Sequence, residues 1–220
     1  MRNTDETWSL VESKREDFFA LSDRIWGMPE LNYDEHRSSA EHAAMLESHG
    51  FRVTRNAGGL PTAVIGEAGE DGPVIAILGE FDALPGLSQQ AGVAEKHPVQ
   101  SGGNGHACGH NLLGSAAMLA AAAVKDYLAA AGIKGRVRYY GCPAEEGGSA
   151  KGFMVRAGLF KDVDIAISWH PAPIAAVNPA VSLACNEIDF TFHGRASHAA
   201  AAPHLGRSAL DAVELMNVGV

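Results

Sequence analysis

Three cysteines in 220 residues are too few, and the wrong parity, for a disulfide framework. An odd, low count fits a reducing compartment. Basic residues are scarce: 17 Lys+Arg against 26 Asp+Glu leave a formal charge of −9. That balance excludes the basic stripe of a nucleic-acid binder and the polybasic patch of a protein that docks on anionic lipid. The most apolar run, Leu112–Val124, is Ala-rich and shorter than the ~20 residues that span a bilayer. Met1–Asp17 is charged throughout and lacks the apolar core of a signal peptide. No nucleic-acid or membrane partner is expected, and the cytoplasm is the expected compartment. Internal repeats and low-complexity tracts are missing too. What remains is an ordinary globular composition, 46% hydrophobic and 20% charged, in a chain long enough to bury a core without staples.

Apolar residues recur at helical spacing from Trp8 to Trp26, after Thr4 and Asp5 and before the helix-breaking Pro29. A second helix is predicted over Asp34–His49, closed by Gly50. Short strands are predicted at Phe51–Arg55 and Thr62–Gly66, and a strand buried on both faces at Pro73–Gly79. The glycine-rich stretch from Glu80 to Asn111 is long for a loop inside a compact domain, which marks it as functional. A helix over Leu112–Ala131, a strand at Arg136–Gly141, a short helix at Ser149–Ala157 and a strand at Asp164–Trp169 follow. This β–α–β–α–β alternation predicts an α/β fold: a parallel-rich sheet flanked by helices. After Pro179 the pattern changes to an alternating strand, Ala184–His193, and an amphipathic helix, Arg207–Val218. Residues 1–186 therefore read as one α/β domain and 187–220 as the beginning of a second, α+β domain.

Ligands of open α/β sheets bind beyond the carboxyl ends of the strands. Glu80-Phe81-Asp82 follows one predicted strand, Cys142-Pro143-Ala144-Glu145-Glu146 another, and His170 a third. His106-Ala107-Cys108-Gly109-His110 precedes the long helix. Four junctions thus bring metal-type side chains to one rim. Cys108 and His110, two apart across a turn-forming glycine, are spaced to share a divalent ion, although a glycine-rich turn with a buried Cys explains them equally well alone. Adjacent Glu145 and Glu146 can divide labour, one as ligand and one as proton acceptor, or serve as an acidic turn before a helix. Asp82 by itself reads either as part of a simple turn with Pro85 and Gly86 or as a group that orients a ligand or bridges to an ion. Cys142 and Cys185 carry no spacing signal and read as small core residues; His36, His42 and His49 read as a solvated helix face.

His106-Ala-Cys-Gly-His110, Pro143-Ala-Glu-Glu-Gly-Gly148 and Ser168-Trp-His170 resemble motifs of the amidohydrolase branch of the aminoacylase and carboxypeptidase-type metallopeptidases. Gly79-Glu-Phe-Asp-Ala-Leu-Pro-Gly-Leu-Ser-Gln89 and Pro203-His-Leu-Gly-Arg-Ser-Ala-Leu-Asp-Ala-Val213 are similar to the aminobenzoyl-glutamate subgroup, as is Asn111 where the wider branch has Asp. The resemblance implies a catalytic α/β domain (1–186) interrupted by a lid or dimerisation domain (from 187). It implies two divalent ions, Zn or Mn, with Cys108, His110, Glu146 and His170 as ligands. Glu145 would be the general base, and Asp82 would match the catalytic acidic position of the Asp-Ala-Leu-Pro segment. His198, in Gly194-Arg-Ala-Ser-His-Ala-Ala200, would be the lid histidine that reaches the reacting carbonyl in a partner subunit's site. The implied substrate is an N-acyl amino acid, p-aminobenzoyl-glutamate above others, and the implied assembly a homodimer or a heteromer with a related subunit. Members of the branch are roughly twice as long, which would place a last metal-ligand His beyond Val220 and leave this chain inactive alone. Two rival readings are a cysteine hydrolase using Cys108 and a non-catalytic metal-binding or assembly module.

Overall fold

A computed structural model describes residues 4–177, 181 and 183–220. Met1–Asn3 and Pro179, after which the sequence pattern changes, lie outside these. The chain divides into two units at Ala176/Val177.

The first unit begins with two helices, α1 (Thr4–Glu12) and α2 (Arg15–Trp26), where the spacing predicts one. The break falls at Ser13 and Lys14, where Lys14 N–H reaches only the Val11 carbonyl. After α3 (His36–Ser48) come β1 (Arg52–Arg55), β2 (Val64–Glu70), β3 (Val74–Glu80), α4 (His110–Ala130), β4 (Gly135–Cys142), α5 (Ala150–Arg156) and β5 (Ile165–Ile167). The five strands form one mixed sheet in the order β1-β2-β4-β3-β5. β3 runs parallel to both β4 and β5, whereas β2 is antiparallel to β1 and β4. The antiparallel half follows from chain length: only Asp71-Gly72-Pro73 separate β2 from β3. A parallel crossover takes about a dozen residues or more, so the chain reverses.

Each strand buries alternate residues on opposite faces, the period-2 consequence of the pleat. Val137 and Tyr139 of β4 join Phe18, Leu21 and Ile25 of α2, Leu46 of α3 and Met118 of α4 in one core. Tyr140 and Cys142 turn to the other face, against Met154 of α5 and Phe160. α4 has 21 residues and is long and apolar enough, by length and composition, to cross a membrane. Here α4 is the central helix of the layer, with Leu113, Ala117, Met118, Ala121 and Ala122 buried in the core. Gly114 makes that packing possible: a Cβ there would stand 2.2 Å from the Glu80 carbonyl oxygen.

Two further expectations are overturned. His42 is fully buried, its Nδ1 2.9 Å from the Tyr139 hydroxyl, rather than on a solvated face. Cys142 is a core residue, but Cys185 is exposed.

The second unit contains α6 (Ala209–Gly219), capped by the Ser208 hydroxyl, which accepts from Asp211 N–H. A 3-10 turn at Pro203–Leu205 and a bridge between Arg195 and Arg207 precede it. The strand predicted over 184–193 does not form. Its apolar side chains Ile188 and Phe190 alternate as a strand's would, yet no described segment pairs with them, and both stay exposed. Extended backbone without a neighbour has no ladder to join.

Candidate metal centre

The parallel register aligns the ends of the central strands. Glu80, the last residue of β3, lies opposite Cys142, the last of β4, and β5 runs beside β3. The segments leaving all three strands therefore emerge on one rim. α4 starts there too, its first residue, His110, preceded by Gly109 at φ 75°, a left-handed conformation that favours glycine. This turn swings Cys108 and His110 onto the rim.

His110 is the hub. Its Nδ1 lies 2.9 Å from Asp82 Oδ1 and 3.1 Å from the Asp82 carbonyl oxygen. Its Nε2 lies 3.0 Å from Glu80 Oε2, 3.7 Å from Glu145 Oε2 and 3.9 Å from Glu146 Oε1. His170 comes in edge-on, with Nε2 3.1 Å from Glu80 Oε2 and 3.7 Å from Glu145 Oε1. Ligand atoms of Cys108, His110 and His170 lie within 4.8 Å of one another, as do those of Glu80, His110, Glu145 and His170. Of the residues singled out in the sequence, Cys108, His110, Glu145, Glu146, His170 and Asp82 thus meet on one rim. His198 belongs to the second unit. There its Nδ1 accepts from Ala200 N–H at 3.2 Å and Ala201 N–H at 3.0 Å, which leaves Nε2 to carry the proton of a neutral ring.

Several supporting residues carry no motif signal. Glu35 is fully buried; its Oε1 accepts from Ala144 N–H and its Oε2 from the Thr62 hydroxyl. Tyr33 donates its hydroxyl to the Gly148 carbonyl at 2.5 Å. Together they hold the turn that presents Glu145 and Glu146, in which Ala144 takes φ 50°. Asp82 Oδ2 accepts from Glu146 N–H at 2.9 Å, so one carboxylate orients His110 and the Glu146 backbone at once. His106 joins no ligand cluster. Its Nε2 lies 3.1 Å from the Ile25 carbonyl, and it ties the loop to the end of α2.

The electrostatics call for a cation. Burial alone would push His110 down, but the Asp82 and Glu80 carboxylates override it and hold the imidazole up, to about 11. Burial pushes Glu146 up, and Glu145 and Asp82 add to this against the pull of His110. Burial likewise pushes the Cys108 thiol up, the opposite of what an activated free nucleophile needs. Glu80 Oε2, His110 Nε2 and Glu146 Oε1 are buried without a hydrogen-bond partner. Three orphaned polar atoms converging from two strand ends and a helix start, with a thiol and a second imidazole alongside, fit a divalent metal.

A profile of the peptidase family M20/M25/M40 matches residues 76–217, which takes in every one of these side chains. The chain belongs to this peptidase family. Within the M20 group, it is 54% identical over 209 residues to a subunit of the p-aminobenzoyl-glutamate hydrolase of Escherichia coli K12. The match covers 95% of this chain and 44% of that protein. It is 36% identical to the Xaa-Arg dipeptidase of Mus musculus, over 93% of this chain and 46% of the other. The chain therefore spans about half the length of the curated relatives it matches. The Bacillus subtilis YXEP protein, described as a dinuclear metal-binding peptidase of the M20 family, superposes with a TM-score of 0.62 at 28% identity. That superposition covers 74% of this chain and 44% of the other.

Proposed function

We propose that this chain carries the metal-binding half-site of a metal-dependent amidohydrolase acting on N-acyl amino acids, with p-aminobenzoyl-glutamate as the preferred substrate. The supporting observation is the convergence of Cys108, His110 and His170 with Glu145 and Glu146 around buried, unpartnered atoms. The substrate assignment leans on the similarity to the p-aminobenzoyl-glutamate hydrolase chain of Escherichia coli. Since that relative is named as one subunit of its enzyme, a second, related subunit is the proposed partner.

Cys108, His110, Glu146 and His170 are the proposed ligands of two divalent ions. Thiolate and imidazole suit Zn, carboxylates suit Mn, and elemental analysis of the purified protein separates the two. When bound, the ions supply Lewis acidity toward the amide carbonyl and lower the pKa of water. Glu145 is the proton carrier. Its carboxylate is part-exposed, at 31%, where the neighbouring Glu146 is only 18% exposed, so it faces the side from which substrate arrives. It takes a proton from the attacking water and returns it to the amine nitrogen as the C–N bond breaks. Asp82 keeps the His110 ring oriented through Nδ1. His198, with Nε2 as donor, is the proposed stabiliser of the developing oxyanion in a partner subunit's site.

Glu145→Gln and Glu146→Gln test the division of labour in the full-length protein. The first should lower kcat by about 10²–10⁴-fold with metal content unchanged, the range for a lost acid–base group. The second should weaken metal binding as well. Equal metal loss in both variants, measured by titration, would overturn the assignment.

A further inference from the structure

β3 brings to the rim a carboxylate that the ligand set above leaves without a task. Glu80 is 2% exposed, an expensive place for a charge. One of its oxygens, Oε1, is paired with the Lys151 ammonium of α5. The other, Oε2, makes no hydrogen bond, although it lies 3.0 Å from His110 Nε2 and 3.1 Å from His170 Nε2. Those two separations are informative. Donor atoms bound to one ion at ~2.0–2.2 Å stand about 2.8–3.6 Å apart along the edges of an octahedron or tetrahedron. Glu80 Oε2 therefore already stands at neighbouring-ligand spacing from both imidazole nitrogens, which lie within 4.8 Å of each other. The Glu145 and Glu146 oxygens, at 3.7 and 3.9 Å from His110 Nε2, stand slightly further out.

We propose that Glu80 is a further metal ligand, completing with His110 and His170 the shell of one ion, and that Lys151 is its positioning residue. Lys151 occupies Oε1, so the carboxylate presents a single oxygen to the ion. It also offsets part of the negative charge that Glu80, Asp82, Glu145 and Glu146 concentrate on this rim. The fold supplies the rigidity this needs: Glu80 ends the interior strand β3, flanked by β4 and β5, and Lys151 lies in the first turn of α5. The proposal rests on the metal-centre reading above and adds a ligand to it.

The test is made on the full-length protein, stripped of metal and reloaded with Co2+. Chelator competition gives the affinity of each site, and the visible absorption of the bound Co2+ reports its coordination. Glu80→Gln should weaken one site at least tenfold and alter the absorption band. Glu80→Asp keeps the charge but withdraws the oxygen by one methylene, and should alter the band as well. Lys151→Met should retain Co2+ but shift the spectrum, because Oε1 is released to bind. Thermal melting of the Co2+-free variants shows which are folded; if Glu80→Gln is not, Glu80→Asp and Lys151→Met carry the test. Wild-type affinity and spectrum in Glu80→Gln, or a wild-type spectrum in Glu80→Asp, would overturn the ligand assignment. A wild-type spectrum in Lys151→Met would overturn the clamp. A wild-type protein that takes up no Co2+ would instead overturn the metal-centre reading itself.

Discussion

His42 shows how a single buried side chain sets a property of the whole domain. It sits between Phe81 and Tyr139 with no exposed surface, and burial pushes its pKa down to about 3 from 6.5. The unfolded chain takes up a proton below pH 6.5, while the folded one resists until near pH 3. The stability tied to this residue is therefore complete above pH 6.5 and is lost as pH falls from 6.5 toward 3, by about 1.4 kcal/mol per pH unit. Unfolding free energies from denaturant titrations at pH 7.5 and pH 5 should differ by about 2 kcal/mol from His42 alone. In His42→Gln, which keeps a partner for the Tyr139 hydroxyl, that share of the difference should vanish. An unchanged acid slope in the variant would show that other groups carry it. Charge at the metal centre follows the opposite logic. There burial is outweighed by neighbouring carboxylates, and the His110 pKa rises instead.

Among the elements, α4 couples the core to the rim. Its apolar face is buried along the sheet, and its first residue is the hub of the proposed metal centre. Gly114 lies one turn in, where the helix touches the Glu80 backbone. A Cβ would meet the Glu80 carbonyl oxygen at 2.2 Å and His42 Cε1 at 2.8 Å. Gly114→Ala should therefore push α4 away from β3. The expected cost is about 1–3 kcal/mol of stability, as for other overpacked cores. Because the same shift moves His110 relative to Glu80 and Asp82, metal affinity should fall together with the melting temperature. A variant that loses stability but binds metal as tightly as the wild type would show that the helix start is anchored independently of its packing.

For the molecule as a whole, the conspicuous feature is apolar surface left uncovered in this chain. The edge strand β5 exposes Ile165 at 53% and Ile167 at 51%. In the second unit, Phe190, Leu210 and Leu215 are also exposed. An edge strand with free N–H and C=O groups and apolar side chains is a template for pairing with another chain. The 220-residue chain on its own should self-associate with rising concentration, visible in light scattering and in dye binding to apolar surface. Ile165→Lys with Ile167→Lys should reduce this while leaving the melting temperature of the first unit nearly unchanged, since both positions are on the surface. Undiminished association in the double variant would move the sticky surface to the second unit.

Much of this was legible in residue order. The motifs around Cys108, Glu145 and His170, each following a predicted strand or preceding a predicted helix, located the rim, because α/β sheets gather their strand ends on one side. Periodicity located nearly every element of the first unit, because local burial demands period 2 or 3.6. Pairing was not legible: β4 inserts between β2 and β3, a matter of which strands meet across long sequence distances. The same limit hid the absence of a strand over 184–193, whose side-chain alternation is present but whose partner is not found among the described residues. Tyr33, Glu35 and Lys151, which no motif announces, and Glu80, whose role none assigns, depend on contacts distant in sequence: 71 residues for Glu80 and Lys151, 109 for Glu35 and Ala144, 115 for Tyr33 and Gly148. In the sequence Glu80 reads only as one more acid at a strand end, without a role of its own, and a Lys in a short helix looks like any solvated charge. Only the folded chain, by burying Glu80 with one oxygen against Lys151 and the other between two imidazoles, makes that carboxylate a candidate ligand, because desolvation is what turns an ordinary charge into a committed one.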